Sequence, residues 1–177
     1  MSIVSLAVIG KGHDEPLYIE DFSGHNNNLD LEEKLFGFPR YFCSSHYQFI
    51  MQSALDVLKN TSSYGAEFSM PERNESMWKG YLCSVDEIMV YGYVTTTGLR
   101  ILVGIENASF SYNSNNAQEK REANLFAFTR SIHGAYIEYL LNPLNQRNQK
   151  IHSPAFQNKV KSFLNIFNES NQALGIY

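Results

Sequence analysis

Cysteine is nearly absent from this sequence: Cys43 and Cys83 are the two in 177 residues, with no CxxC spacing. That excludes a disulfide scaffold and a thiolate metal cluster, and it points to a reduced, cytosolic setting. Charge is also sparse. Charged residues make up 18% of the chain, below the roughly 25% of an average globular domain. A low charge fraction suits a subunit that hides part of its surface in an assembly. The formal charge is −4 and the pI about 5.7, with no basic stripe, so nucleic acid is excluded as a partner. No stretch approaches the ~18 to 20 apolar residues that a membrane span needs, so no membrane insertion is expected. The apolar start, residues 3–9, has no basic segment before it and no small-residue cleavage site after it. A buried first strand explains it better than a signal peptide. The five histidines show no ligand spacing, and neither a metal nor a cofactor is expected. Gly10-Lys11-Gly12 follows a strand but lacks the rest of a phosphate-binding loop. A turn is expected there.

Hydrophobic residues, in contrast, reach 44%, with 12 Phe and 11 Tyr, enough for a core and too many for a disordered chain. Residues 3–9, 88–95 and 99–105 are nearly continuous apolar runs, which predicts strands buried on both faces of a sheet. Thr96-Thr97-Gly98 makes the last two a hairpin. Residues 17–20 and 80–85 read as two further strands. Three helices are predicted. The first opens on a capping box at Ser45 and Gln48 and buries Tyr47, Ile50, Met51, Ala54, Leu55 and Leu58. The second opens at Asn116, ends at Asn142-Pro143, and buries Leu125, Phe128, Ile132, Tyr136, Tyr139 and Leu140. The third starts at Ser153-Pro154 and buries Phe156, Val160, Phe163, Leu164 and Phe167. A sheet buried on both faces needs cover on both sides. The expected fold is therefore α/β (α+β): a five-stranded, mainly antiparallel sheet with one helix on one face and two on the other. One domain is expected over residues 1–177, with loop insertions near 22–44 and 61–78.

Five segments together resemble a known family. They are residues 7–22 (AVIGKGHDEPLYIEDF), 54–58 (ALDVL), 90–106 (VYGYVTTTGLRILVGIE), 139–143 (YLLNP) and 151–160 (IHSPAFQNKV). In this order they are similar to the sedlin family of TRAPP (trafficking protein particle) subunits, with the subunit 2-like branch as the nearest likeness. The resemblance implies a longin fold, the same arrangement that the periodicity predicts. It implies a non-catalytic adaptor in the TRAPP vesicle-tethering complex, cytoplasmic and peripheral to endoplasmic reticulum and Golgi. Partners would be other TRAPP subunits and, indirectly, small GTPases of the Rab type; self-association as a homodimer stays open. Two departures bear on partner choice. The loops flanking the first helix are longer than is usual in the family. Lys59 and Asn60 stand where the family often has a second acidic residue.

The candidate partner-binding residues are Phe49, Gln52, Ser53 and Asp56 on the outer face of the first helix, and Tyr81 and Cys83 on the strand over 80–85. Phe49 is out of place on a solvated face, and Asp56 is a poor mid-helix residue. An apolar anchor beside a charge-assisted acceptor suits an interface. The competing account covers Phe49 with Phe36 or Phe42 and gives Asp56 a local salt bridge; Asp56 also holds the acidic position of the family's Leu-Asp motif. The strand over 80–85 is expected at a sheet edge, with Tyr81 and Cys83 on one face, open to augmentation by another chain or shielded by the preceding loop. On the second helix, Phe126, Gly134, Ile137 and Leu141 lie outside the main stripe. Packing against the third helix is the first account of them, and a partner groove is the other. Two rivals concern the whole chain. A longin SNARE is expected to continue into a heptad helix and an anchor, and neither pattern precedes Tyr177. An adaptor-coat subunit remains open beside it. A small ligand-binding or hydrolytic enzyme using Cys43 and His46 needs an orienting group and an oxyanion site.

Overall fold

The computed structural model describes the backbone of residues 2–22, 41–64, 77–85, 87–106 and 115–173, and side chains over 2–22, 47–60, 77–85, 87–106 and 120–171. Among these, the elements in chain order are β1 (Ile3–Ile9), β2 (Pro16–Asp21), α1 (Tyr41–Tyr64), β3 (Trp78–Val85), β4 (Ile88–Val94), β5 (Arg100–Glu106), α2 (Asn115–Leu141) and α3 (Pro154–Ala173). The strands form one sheet in the order β2-β1-β5-β4-β3, with every neighbouring pair antiparallel. The expected hairpin joins β4 to β5, closed by the Thr95 N–H donating to the Leu99 carbonyl at 2.8 Å.

The absence of alternation in the apolar runs has a direct cause. Every residue of β1 is buried, because both faces of the sheet are covered. On one face Ala7, Ile9, Val90 and Leu102 pack against Ile50, Met51, Ala54, Leu55 and Leu58 of α1. On the other, Leu6, Val8, Tyr93, Ile101 and Val103 pack against Leu125, Phe128 and Ile132 of α2 and Phe156, Val160 and Leu164 of α3. Fully burying one such aliphatic side chain contributes about 1.5–3 kcal/mol, so each face supplies several times the stability that a single substitution removes. This is a longin-like α/β fold. Glycines set how closely α1 approaches. A Cβ on Gly104 would lie 2.3 Å from Ser5 Oγ and 3.4 Å from Met51 Cε, and one on Gly92 would lie 3.1 Å from Leu58 Cδ1.

Some boundaries differ from expectation. Helix α1 begins at Tyr41, so Ser45 lies within it and cannot cap its N-terminus. The helix thereby takes in residues expected at both flanking insertions, 41–44 and 61–64; residues 23–40 and 65–76 lie outside the described residues. Helix α2 starts one position before Asn116, within the usual fraying of helix ends. Ser153 does cap α3: its Oγ accepts from the Phe156 N–H at 3.4 Å, and its carbonyl from the Gln157 N–H at 3.1 Å. The Gly10-Lys11-Gly12 segment is a turn. Arg100, itself buried, donates from Nη2 to the carbonyls of Gly10 and His13, both at 2.7 Å.

Candidate partner-binding surface

The outer face of α1 follows from its inner one. Once Ile50, Ala54 and Leu58 face the sheet, a step of about 100° per residue turns Phe49 and Asp56 away from it. Phe49 is 64% exposed, and the Asp56 side chain is 61% exposed. Gln52 is exposed beside them and Ser53 half-buried, its hydroxyl donating back to the Phe49 carbonyl at 3.0 Å. Neither Phe36 nor Phe42 has a described side chain, so that competing cover for Phe49 lies outside the described residues. Asp56 does have a local cation: Lys59 Nζ stands 3.9 Å from Asp56 Oδ1 but 2.6 Å from Asp14 Oδ1. The lysine belongs first to Asp14, whose carboxyl it holds below the usual carboxylate range. At 3.9 Å Asp56 lies beyond hydrogen-bond distance of that lysine and keeps capacity for an external donor.

Tertiary structure adds a feature that the helix pattern alone does not contain. Phe49 and Gln52 stand on the rim of a groove of about 760 Å³, whose floor is formed by Ala7, Ile9 and Ile19 and whose far wall by Lys150, Ile151 and His152. The Ile151 N–H donates to the Leu17 carbonyl at 2.8 Å, which pins the chain after α2 along the outer side of β2. No local signal in residues 150–152 announces this contact, because its partner lies on a strand distant in sequence.

Strand β3 is an edge of the sheet, as expected, but it is irregular. Its register against β4 shifts between Trp78 and Gly80 and again between Tyr81 and Cys83. Gly80 takes φ +71° at the first shift, a conformation that favours glycine. The second shift reverses the facing of side chains beyond it. Tyr81, 52% exposed, therefore lies on the α2 side, edge-on to Tyr91 with ring centroids 6.0 Å apart. Cys83 packs on the α1 side with Leu82 and Val85. The expectation that Tyr81 and Cys83 share a face is thus corrected. Burial also pushes the Cys83 thiol above its ordinary pKa, which keeps it protonated and poorly nucleophilic at neutral pH. Cys43 and His46 fall on the first turns of α1; their side chains lie outside the described residues.

Helix α2 also departs from expectation. Phe126 points inward, 5.9 Å from the Trp78 ring and 6.2 Å from Tyr93. Ile137 and Leu141 do not pack away against α3; they are 45% and 75% exposed. Among the described residues, nothing lies within 4 Å of where a Gly134 Cβ would be.

Comparison with known proteins agrees with this architecture. The profile of the family described as Sedlin matches residues 8–165. The chain is 26% identical over 162 residues to the "Trafficking protein particle complex subunit 2-like protein" of Dictyostelium discoideum, covering 92% of this chain and 96% of that one. It is 28% identical over 159 residues to the "Transport protein particle 20 kDa subunit" of Schizosaccharomyces pombe, covering 88% and 92%. The subunit 2-like protein of Taeniopygia guttata is 23% identical over 161 residues, covering 91% and 96%. With its sheet, its helices and nearly its whole length accounted for, the chain belongs to the sedlin family.

Proposed function

We propose that this protein is a non-catalytic adaptor subunit of the trafficking protein particle, supporting assembly of that vesicle-tethering complex in transport between endoplasmic reticulum and Golgi and within the Golgi. Its place is the cytoplasmic side of those membranes, held there through its partners. It contacts neighbouring subunits directly and Rab-type GTPases only through them. Phe49, Gln52, Ser53 and Asp56 form the principal contact, and the β3 edge with Tyr81 and Cys83 a second one. The bulges in β3 favour side-chain contacts over extension of the sheet there.

The observation that carries the reading is a large aromatic side chain left mostly in water beside a carboxylate with spare hydrogen-bonding capacity. Membership of a family whose relatives are named as subunits of one complex supplies the class of partner. Binding energy at such surfaces comes from a few desolvated anchors. The test is affinity purification of the tagged full-length chain, native and with Phe49→Ala and Asp56→Ala combined. Native protein should bring down other trafficking-particle subunits, and the double variant should lose them by at least about tenfold while keeping its circular dichroism. Unchanged recovery would sink the site assignment, and absence of those subunits from the native eluate would sink the adaptor role.

A further inference from the structure

We propose that the outer face of α2 is a self-association surface whose occupant is a second copy of this chain. Between residues 123 and 141 that face exposes two charges, Arg130 and Glu138. A solvated helix face of this length ordinarily carries more. Gly134 lies at its centre, with Ala127 and Leu141 about 20° to either side and Arg130 and Glu138 about 40°. Glycine within a helix costs about 1 kcal/mol relative to alanine, and among the described residues nothing crowds this one. A second helix laid across it at close range would account for the missing side chain.

The pattern around Gly134 selects the occupant. In a twofold-symmetric, antiparallel pair with its axis at Gly134, each residue before the glycine faces the residue equally far after it on the other copy. Arg130 then meets Glu138 of the second copy, Ala127 meets Leu141, and Ser131 meets Ile137. Opposite charges and large-on-small contacts arise together, twice over. Glu138 already pairs with Lys159 of α3, but a carboxylate can accept a second cation. Among the described residues, no acidic group pairs with Arg130.

The α2 face is separate from the principal contact of the adaptor reading, which lies on α1 across the sheet. The test is sedimentation velocity of the full-length chain from low micromolar to near-millimolar concentration. Native protein should show a concentration-dependent dimer. Gly134→Leu should weaken it by at least about tenfold while raising the melting temperature, because leucine is the better helix former. Arg130→Glu and Glu138→Arg should each weaken it severalfold by setting like charges opposite one another, and the two together should recover it. A chain that stays monomeric throughout, a dimer indifferent to Gly134→Leu, or charge reversals that fail to compensate would each overturn the proposal. So would a monomer that needs this face to retain a different trafficking-particle subunit.

Discussion

Phe49 and Asp56 belong on opposite ends of a polarity scale, yet both leave the core for the same geometric reason: the helix turns them there. What distinguishes them from ordinary surface residues is incomplete satisfaction. An exposed pair such as Lys59 with Asp14 is screened by solvent and yields readily to a partner. His133 shows the contrary case, a titratable side chain tied into the fold. Its Nδ1 lies 3.4 Å from the Tyr93 hydroxyl, and burial lowers its pKa below the ordinary 6.5. In that window the unfolded chain binds more protons than the folded one, so stability rises with pH. The contribution is fully present above the unfolded value and is lost as pH falls through it toward the lowered folded value. Urea midpoints measured near pH 7.5 and pH 5.5 should therefore differ less for His133→Gln than for the native chain. An equal difference would show that the imidazole plays no part.

Elements succeed or fail at their ends. Helix α3 begins where the Ser153 hydroxyl satisfies one otherwise orphaned N–H of its first turn, that of Phe156, while its carbonyl accepts the first intrahelical bond, followed by a proline that has no N–H to leave unpaired. Ser153→Ala should cost about 1 kcal/mol in chemical denaturation; a change within error would place the cap elsewhere. The Ser45 box carried the same local signature without the same outcome. Helical pairing continues through it to Tyr41, and a residue inside a helix has no orphan donor to satisfy. Strand β3 teaches the parallel lesson for sheets. Period-two reasoning puts Tyr81 and Cys83 together, but one extra residue in the pairing separates them, and a bulge has no reliable local signature apart from glycine.

At the scale of the molecule, one sheet separates two apolar layers, and its central strands carry both. β1 and β5 are paired on both sides and buried along nearly their whole length. Native-state hydrogen exchange should be slowest at Leu6, Ala7, Leu102 and Val103 and markedly faster along β3, since local opening starts where few neighbours hold the backbone. Exchange in β3 as slow as in β5 would mean that its edge is covered. The two proposed surfaces, α1 outward from one layer and α2 outward from the other, leave the chain able to hold partners on opposite sides.

The amino-acid pattern alone determined the order of elements, the helix stripes, the double burial of β1, β4 and β5, and the outward facing of Phe49 and Asp56. Each of these depends on a repeat of two or of 3.6 residues, which neighbours along the chain are sufficient to express. Tertiary structure decided the rest: the groove closed by Ile151 against Leu17, the parting of Tyr81 from Cys83, and the exposure of Ile137, Gly134 and Leu141. Those depend on which distant segments meet and how far apart they come to rest. Periodicity assigns a side chain to a face, but only the packed neighbours determine whether that face is covered.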